Sequence, residues 1–92
     1  MVAIHYPREA HREEFVSRVQ HAAQVMGSAP GCLSSDCWLT AAGAVVSTAQ
    51  WETAEAMKAS FGAAEAAGVD FTFDDREARP REIHHLLGSV PR

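Results

Sequence analysis

No apolar run in this chain approaches the length of about 20 residues that a membrane-spanning helix needs. No basic patch or arm is present either: 8 Lys+Arg stand against 12 Asp+Glu, a net charge of −4. Membrane-spanning and nucleic-acid-binding classes are therefore not expected. Cysteine is scarce, with only Cys32 and Cys37. Neither sits in a C-x-x-C or zinc-like spacing. Lying an odd number of positions apart on one predicted strand, they should point to opposite faces and not bridge. They read as buried free thiols of a reducing cytoplasm. Met1 to Tyr6 is too short and too soon polar for a signal peptide. Repeats, low-complexity tracts and linkers are missing, so the 92 residues read as one domain, 1–92, with a tail from about Gly88.

What is present is a folded-protein composition, 47% hydrophobic, enough for a packed core. Val2 to Tyr6 reads as a first strand, and Pro7 as a residue just inside a helix start. Phe15, Val19, Ala22, Ala23 and Met26 follow at helical spacing, with Arg12, Glu13, Glu14 and Arg18 outside the stripe. Gly27 to Gly31, with Pro30, ends that helix. Cys32 to Leu39 is a second strand, Thr40 to Gly43 a turn and Ala44 to Trp51 a third strand. A second helix runs from about Thr53 to Ala67, with Met57, Phe61 and Ala64 inward and Gly68 as its stop. Val69 to Pro80 reads as a loop with room for a short strand, and Arg81 to Leu87 as the last strand.

The order is β-α-β-β-α-β, an α+β, ferredoxin-like arrangement. It places two helices on one face of a four-stranded antiparallel sheet. The other face, with Trp38 and Leu86, is left as an apolar patch, and a homodimer through the sheet faces would bury it. Placing the more apolar set of each strand toward the helices puts Ile4, Tyr6, Trp51 and His85 between sheet and helices. The same rule puts His5, His84, Gln50 and Trp38 on the open face.

A β-branched run ending in Trp51, two residues before the N-cap candidate Thr53, is the most distinctive feature. The run Pro30-Gly31-Cys32-Leu33, a strand, a glycine turn and then Ser47-Thr48-Ala49-Gln50-Trp51-Glu52-Thr53-Ala54-Glu55-Ala56 resembles the antibiotic biosynthesis monooxygenase (ABM) family. The likeness extends from Val2 to Leu87 and implies the dimeric α+β barrel fold. That family includes cofactor-free monooxygenases of aromatic polyketides, quinol oxygenases, haem-degrading enzymes and proteins without an established activity, so the fold does not fix the function. The haem-degrading branch needs an asparagine on strand one, and this chain contains no Asn. It also needs a histidine on the second helix where Phe61 stands, so of its triad only Trp51 matches.

The resemblance thus implies a cofactor-independent monooxygenase of a small aromatic, polyketide or quinol-type substrate, needing no cofactor and no metal. The enzyme removes a proton from a phenol or activated methylene, and the electron-rich anion reacts with oxygen. This chemistry needs an apolar pocket, a donor to the incipient oxyanion and a base near neutral pH. Trp51 would supply the indole N–H, His85 the base and Tyr6 a hydroxyl. Arg81 would steady a phenolate or carboxylate, and Phe15, Met57, Phe61 and Ile4 would wall the pocket. The alternatives are a non-catalytic, small-ligand-binding or accessory homodimer, and an isomerase or cyclase on the same barrel.

Each candidate also has a plain structural reading. Trp51, His85, Met57 and Phe61 serve equally as core, and Tyr6 as a packing residue with its hydroxyl in water. His11 and His21 belong to a solvated helix face. His84 and His85 point to opposite sides of a strand and cannot share one ion. Asp74, Asp75 and Glu77 read as a solvated acidic loop.

Overall fold

In the computed structural model, which describes residues 1–88, 90 and 91, six main elements follow one another. They are β1 (Val2–Pro7), α1 (Arg12–Gly27), β2 (Cys32–Leu39), β3 (Val45–Trp51), α2 (Ala54–Ala66) and β4 (Glu77–His84). The sheet order is β2-β3-β1-β4, with every pair antiparallel. This is the expected order of elements, with both helices packed on one sheet face. Two residues of the expected tail, Ser89 and Arg92, lie outside the described residues. Among the described residues no helix is long and apolar enough to cross a membrane.

The helical stripe of α1 buries Phe15, Val19, Ala23 and Met26, and Phe15 and Val19 meet Val45 of β3 at the centre of the core. The Thr40–Gly43 turn closes as expected. Gly43 sits at φ 86°, and the Thr40 side chain accepts the Ala44 N–H at 3.0 Å. Gly31 (φ 82°) turns the chain into β2. A Cβ there would lie 2.6 Å from the Ala56 side chain, so only glycine lets this turn rest on α2. Thr53 caps α2 by accepting the Ala56 N–H at 3.0 Å.

Four expectations are corrected. Pro7 is not in a helix but ends β1, and a single 3₁₀ turn (Glu9–His11) leads into α1. β4 begins at Glu77, not Arg81, and ends at His84, so His85 and Leu87 lie beyond the sheet. Pro80 hid the early start, because a proline argues against a strand. It is tolerated here because β4 is an edge strand, and the register against β1 shifts on either side of Tyr6.

The third correction is the face of β1. Paired residues share a face. Ala3 opposes Ser47 and Ile83, and His5 opposes Val45, so Ala3 and His5 face the helices. Val2, Ile4 and Tyr6 face the open side. β1 is a central strand with Val2 and Ile4 half-buried on that side, so apolarity does not separate its faces. The fourth concerns β2. A register shift between Cys32 and Ser34 pairs Cys32 with Trp51 and Cys37 with Ser47, which puts both cysteines on the helix side. They are half-buried free thiols, not fully buried ones, and burial pushes the Cys37 thiol up.

Candidate functional site

Between sheet and helices lies a small, mostly apolar cavity of about 80 Å³. Ala3, His5 and Ser47 form its floor, Arg18, Val19, Ala22 and Met26 its α1 wall, and Phe61 its α2 wall. Val69, Asp70 and Phe71 close over it, with Arg81 and Ile83 of β4 at the side. Phe61 packs against Phe71 with ring centroids 6.0 Å apart.

Behind His5 and Arg81 of this wall lies a buried carboxylate. Glu77, 3% exposed, is the buried acid of the fold, not part of a solvated loop. Its Oε1 lies 3.4 Å from His5 Nδ1, and its Oε2 accepts from Arg81 Nη2 at 2.5 Å. The His5 ring lies 5.7 Å from the Phe15 ring. Burial first, and the Arg81 charge second, push the His5 imidazole below its usual 6.5, against the opposing pull of Glu77. His5 is therefore neutral at pH 7. A carboxylate can only accept, so the proton sits on Nδ1 and leaves Nε2 as the ring's lone pair.

The closing segment is held by arginines. Arg81 Nη1 donates to the Phe71 carbonyl at 2.9 Å, and Arg18 Nη2 to the Thr72 carbonyl at 2.8 Å. Arg76 binds Asp74, Asp70 and Glu14. Hydrogen bonds from Thr72, with help from Arg76, hold the Asp70 carboxyl down to about 2.

Trp51 sits where β3 meets α2, as the N-cap spacing predicted. Its indole N–H is committed, however: Nε1 donates to Ser60 Oγ at 2.8 Å, and that hydroxyl donates to the Met26 carbonyl at 3.3 Å. Ser60 is fully buried, so this relay ties β3, α2 and α1 together. Ser60→Ala is expected to cost about 1–3 kcal/mol in urea unfolding, because it strands the indole donor. Trp51→Phe in that background should then add less than it does alone, since both remove one bond. Full additivity would show that the bond contributes nothing.

The remaining candidates divide between a second cleft, the core and the open sheet face. The Trp51 ring rests on Phe61 at 6.0 Å; Phe61 lines the cavity, and Trp51 lines a wide surface cleft of about 610 Å³. Trp51, Met57 and His85 line that cleft. His85 is exposed there, because β4 ends before it. Phe15, 1% exposed, is core rather than wall. Tyr6 and Ile4 are on the opposite sheet face, where the Tyr6 hydroxyl donates to Glu82 and the Arg79 guanidinium lies 3.7 Å from its ring. That Glu82 bond is the main cause of the raised Tyr6 phenol. Of the expected site residues, only Phe61 and Arg81 line the cavity, and they are joined by His5, Arg18 and Phe71. Among the described residues no three His, Cys, Asp or Glu side chains are grouped as metal ligands.

A sequence model of one family, antibiotic biosynthesis monooxygenase, matches residues 1–68. No curated protein matches the chain. Rv0793 from Mycobacterium tuberculosis is similar in structure, with TM-score 0.76, 17% identity and coverage of 97% of this chain and 95% of that one. A crystal structure titled antibiotic biosynthesis monooxygenase follows at TM-score 0.74 and 12% identity, covering 98% and 96%. A variant of MhuD with two manganese protoporphyrin IX bound per active site gives TM-score 0.62 and 18% identity, covering 98% and 95%. At these identities the likenesses speak for the fold.

Proposed function

Because the chain belongs to the antibiotic biosynthesis monooxygenase family, we propose that it oxygenates a small aromatic or quinol-type substrate without a cofactor, in the cavity beneath Phe61 and Phe71. The observation that carries this reading is the His5–Glu77 dyad on an apolar wall. A neutral imidazole, oriented by a buried carboxylate, is a general base suited to neutral pH. Its pairing with Glu77 leaves Nε2 free to take a proton from an activated methylene. The resulting carbanion passes electrons to dioxygen, and a C–O bond forms to give a peroxide anion. That anion recovers the proton from His5. Loss of water across the C–H and O–O bonds then leaves a carbonyl, with one oxygen atom in the product and one in water. Here His5, rather than His85, is the base, and Trp51 backs the Phe61 wall rather than binding the oxyanion.

Family proteins are typically dimeric, and a second copy covering Val2, Ile4, Val46 and the 56% exposed Trp38 fits the open face. A monomer in light scattering would remove that part of the reading. Two free thiols fit a reducing, cytoplasmic setting.

The test is oxygen uptake with anthrones, naphthols and hydroquinones, without added metal or flavin. We expect turnover of at least one class, with one carbonyl or quinone formed per dioxygen consumed where a methylene is oxidised. Uptake no faster than in buffer across the panel would overturn the proposal.

A further inference from the structure

The geometry points to a small aromatic monocarboxylate as the occupant of this cavity, its carboxylate held between the guanidiniums of Arg18 and Arg81. The inference rests on the proposed function only in taking this cavity as the place where substrate binds.

Two observations carry it. First, the two cations are crowded together. Arg18 comes from α1 and Arg81 from β4, yet their Nη2 atoms both donate to the Thr72 carbonyl, at 2.8 and 3.1 Å. Their side chains are only 13% and 15% exposed. Like charges this close and this dry need anions. Glu77 serves Arg81 directly, at 2.5 Å. Asp70 lies 3.7 Å from Arg18 Nη1, but it is shared with Arg76 Nη2 at 3.3 Å. His5, the other titratable group on the wall, is neutral. Arg76 has Glu14 and Asp74 besides, so Glu77 and Asp70 balance Arg18 and Arg81, and an anion would be drawn by the unused donors of the paired guanidiniums rather than by net charge.

Second, two N–H donors of this pair are unused. Arg18 Nη1 and Arg81 Nε are buried without a hydrogen-bond partner, and both residues line the cavity. Buried donors are almost always satisfied, and guanidinium donors most of all. One free N–H from each of two adjacent guanidiniums suits the two oxygens of a planar carboxylate. The rest of the lining is apolar and includes Phe61 and Phe71, which favours an aromatic body.

Calorimetric titration of the wild-type protein with benzoate and its neutral near-isostere benzamide tests this directly. Benzoate is expected to bind at least about 10-fold more tightly. Arg18→Met, checked for folding by circular dichroism, should abolish the difference, and Arg18→Lys should keep part of it. Equal binding of the two probes, no binding of benzoate at millimolar concentration, or a preference that persists in folded Arg18→Met would each overturn the inference. If Arg18→Met fails to fold, the wild-type comparison and Arg18→Lys still decide. The two readings fail separately. Oxygen uptake without a benzoate preference sinks the carboxylate site alone, and a benzoate preference without oxygen uptake sinks the oxygenase reading alone.

Discussion

Glu77→Ala is expected to lower folding stability by about 3–5 kcal/mol, the range for removing one partner of a buried ionic pair. The Glu77 side chain has no solvent exposure. Its two oxygens serve His5 and Arg81 at 3.4 and 2.5 Å. Without them, Arg81 keeps its bonds to the Phe71 and Thr72 carbonyls, at 2.9 and 3.1 Å, but its positive charge stays buried next to Arg18 with nothing opposite. Most of the loss is that uncompensated charge rather than the intrinsic strength of the pair. Glu77→Gln, which keeps the shape and one acceptor, should lose distinctly less. Urea unfolding measures both, and the alanine variant should also melt more than about 12 °C lower, given a domain of this size. A loss below about 1 kcal/mol for Glu77→Ala would show that water reaches the pair and that His5 is not held by it.

The scale of that effect explains why the site was hard to see in the sequence. Elements governed by local chemistry were legible. The Phe15–Met26 stripe formed α1, Gly43 made its turn, and the spacing from Trp51 to Thr53 gave the β3–α2 junction with its cap. These depend on helical period, positive φ and capping, all of which act within a few residues. The site depends on pairings across the chain. His5 and Glu77 are 72 positions apart, and a lone histidine between Ile4 and Tyr6 looks like the polar side of its strand. Glu77 sits after Asp74 and Asp75, so the sequence there has the pattern of an acidic loop. Pro80 masked the strand that in fact carries Glu77 inward.

A weak signal was available. Glu77 and Arg81 lie four apart on the irregular stretch of β4 and pair, and Ala3 with His5 offers a small residue and an imidazole on the cavity floor. The helix-facing row of β1 is the less apolar one because its polar member is satisfied from β4. Hydrophobic parity has no means of anticipating that compensation. Trp51 shows the reverse case. Its position follows from local pattern, but the partner of its N–H does not, since the acceptor Ser60 is set by how α2 docks on α1.

His5→Asn is expected to reduce kcat by about 10²–10⁴-fold on any panel substrate that is oxidised, the usual contribution of a general base. The asparagine amide can still donate toward Glu77 from near the Nδ1 position, so the carboxylate keeps a partner. What is lost is the basic lone pair. KM should change far less than kcat, because Phe61, Phe71 and Arg18 are untouched. The pH profile separates a base from a packing residue. The free base exists above the His5 pKa, which burial and Arg81 hold below 6.5, so the acid limb of kcat/KM should fall below the ordinary histidine range. Glu77 pulls that pKa upward, so Glu77→Gln should move the limb to still lower pH while lowering the rate. A limb that moves upward in this variant would reject His5 as the titrating group. Stability is linked to the same proton. Because the folded pKa lies below 6.5, the unfolded chain is protonated first as pH falls. The contribution of His5 is therefore complete above about 6.5 and shrinks below it. His5→Asn should flatten that part of the urea-unfolding profile, and a variant that loses activity while retaining the full pH dependence of folding would show that another group carries the proton.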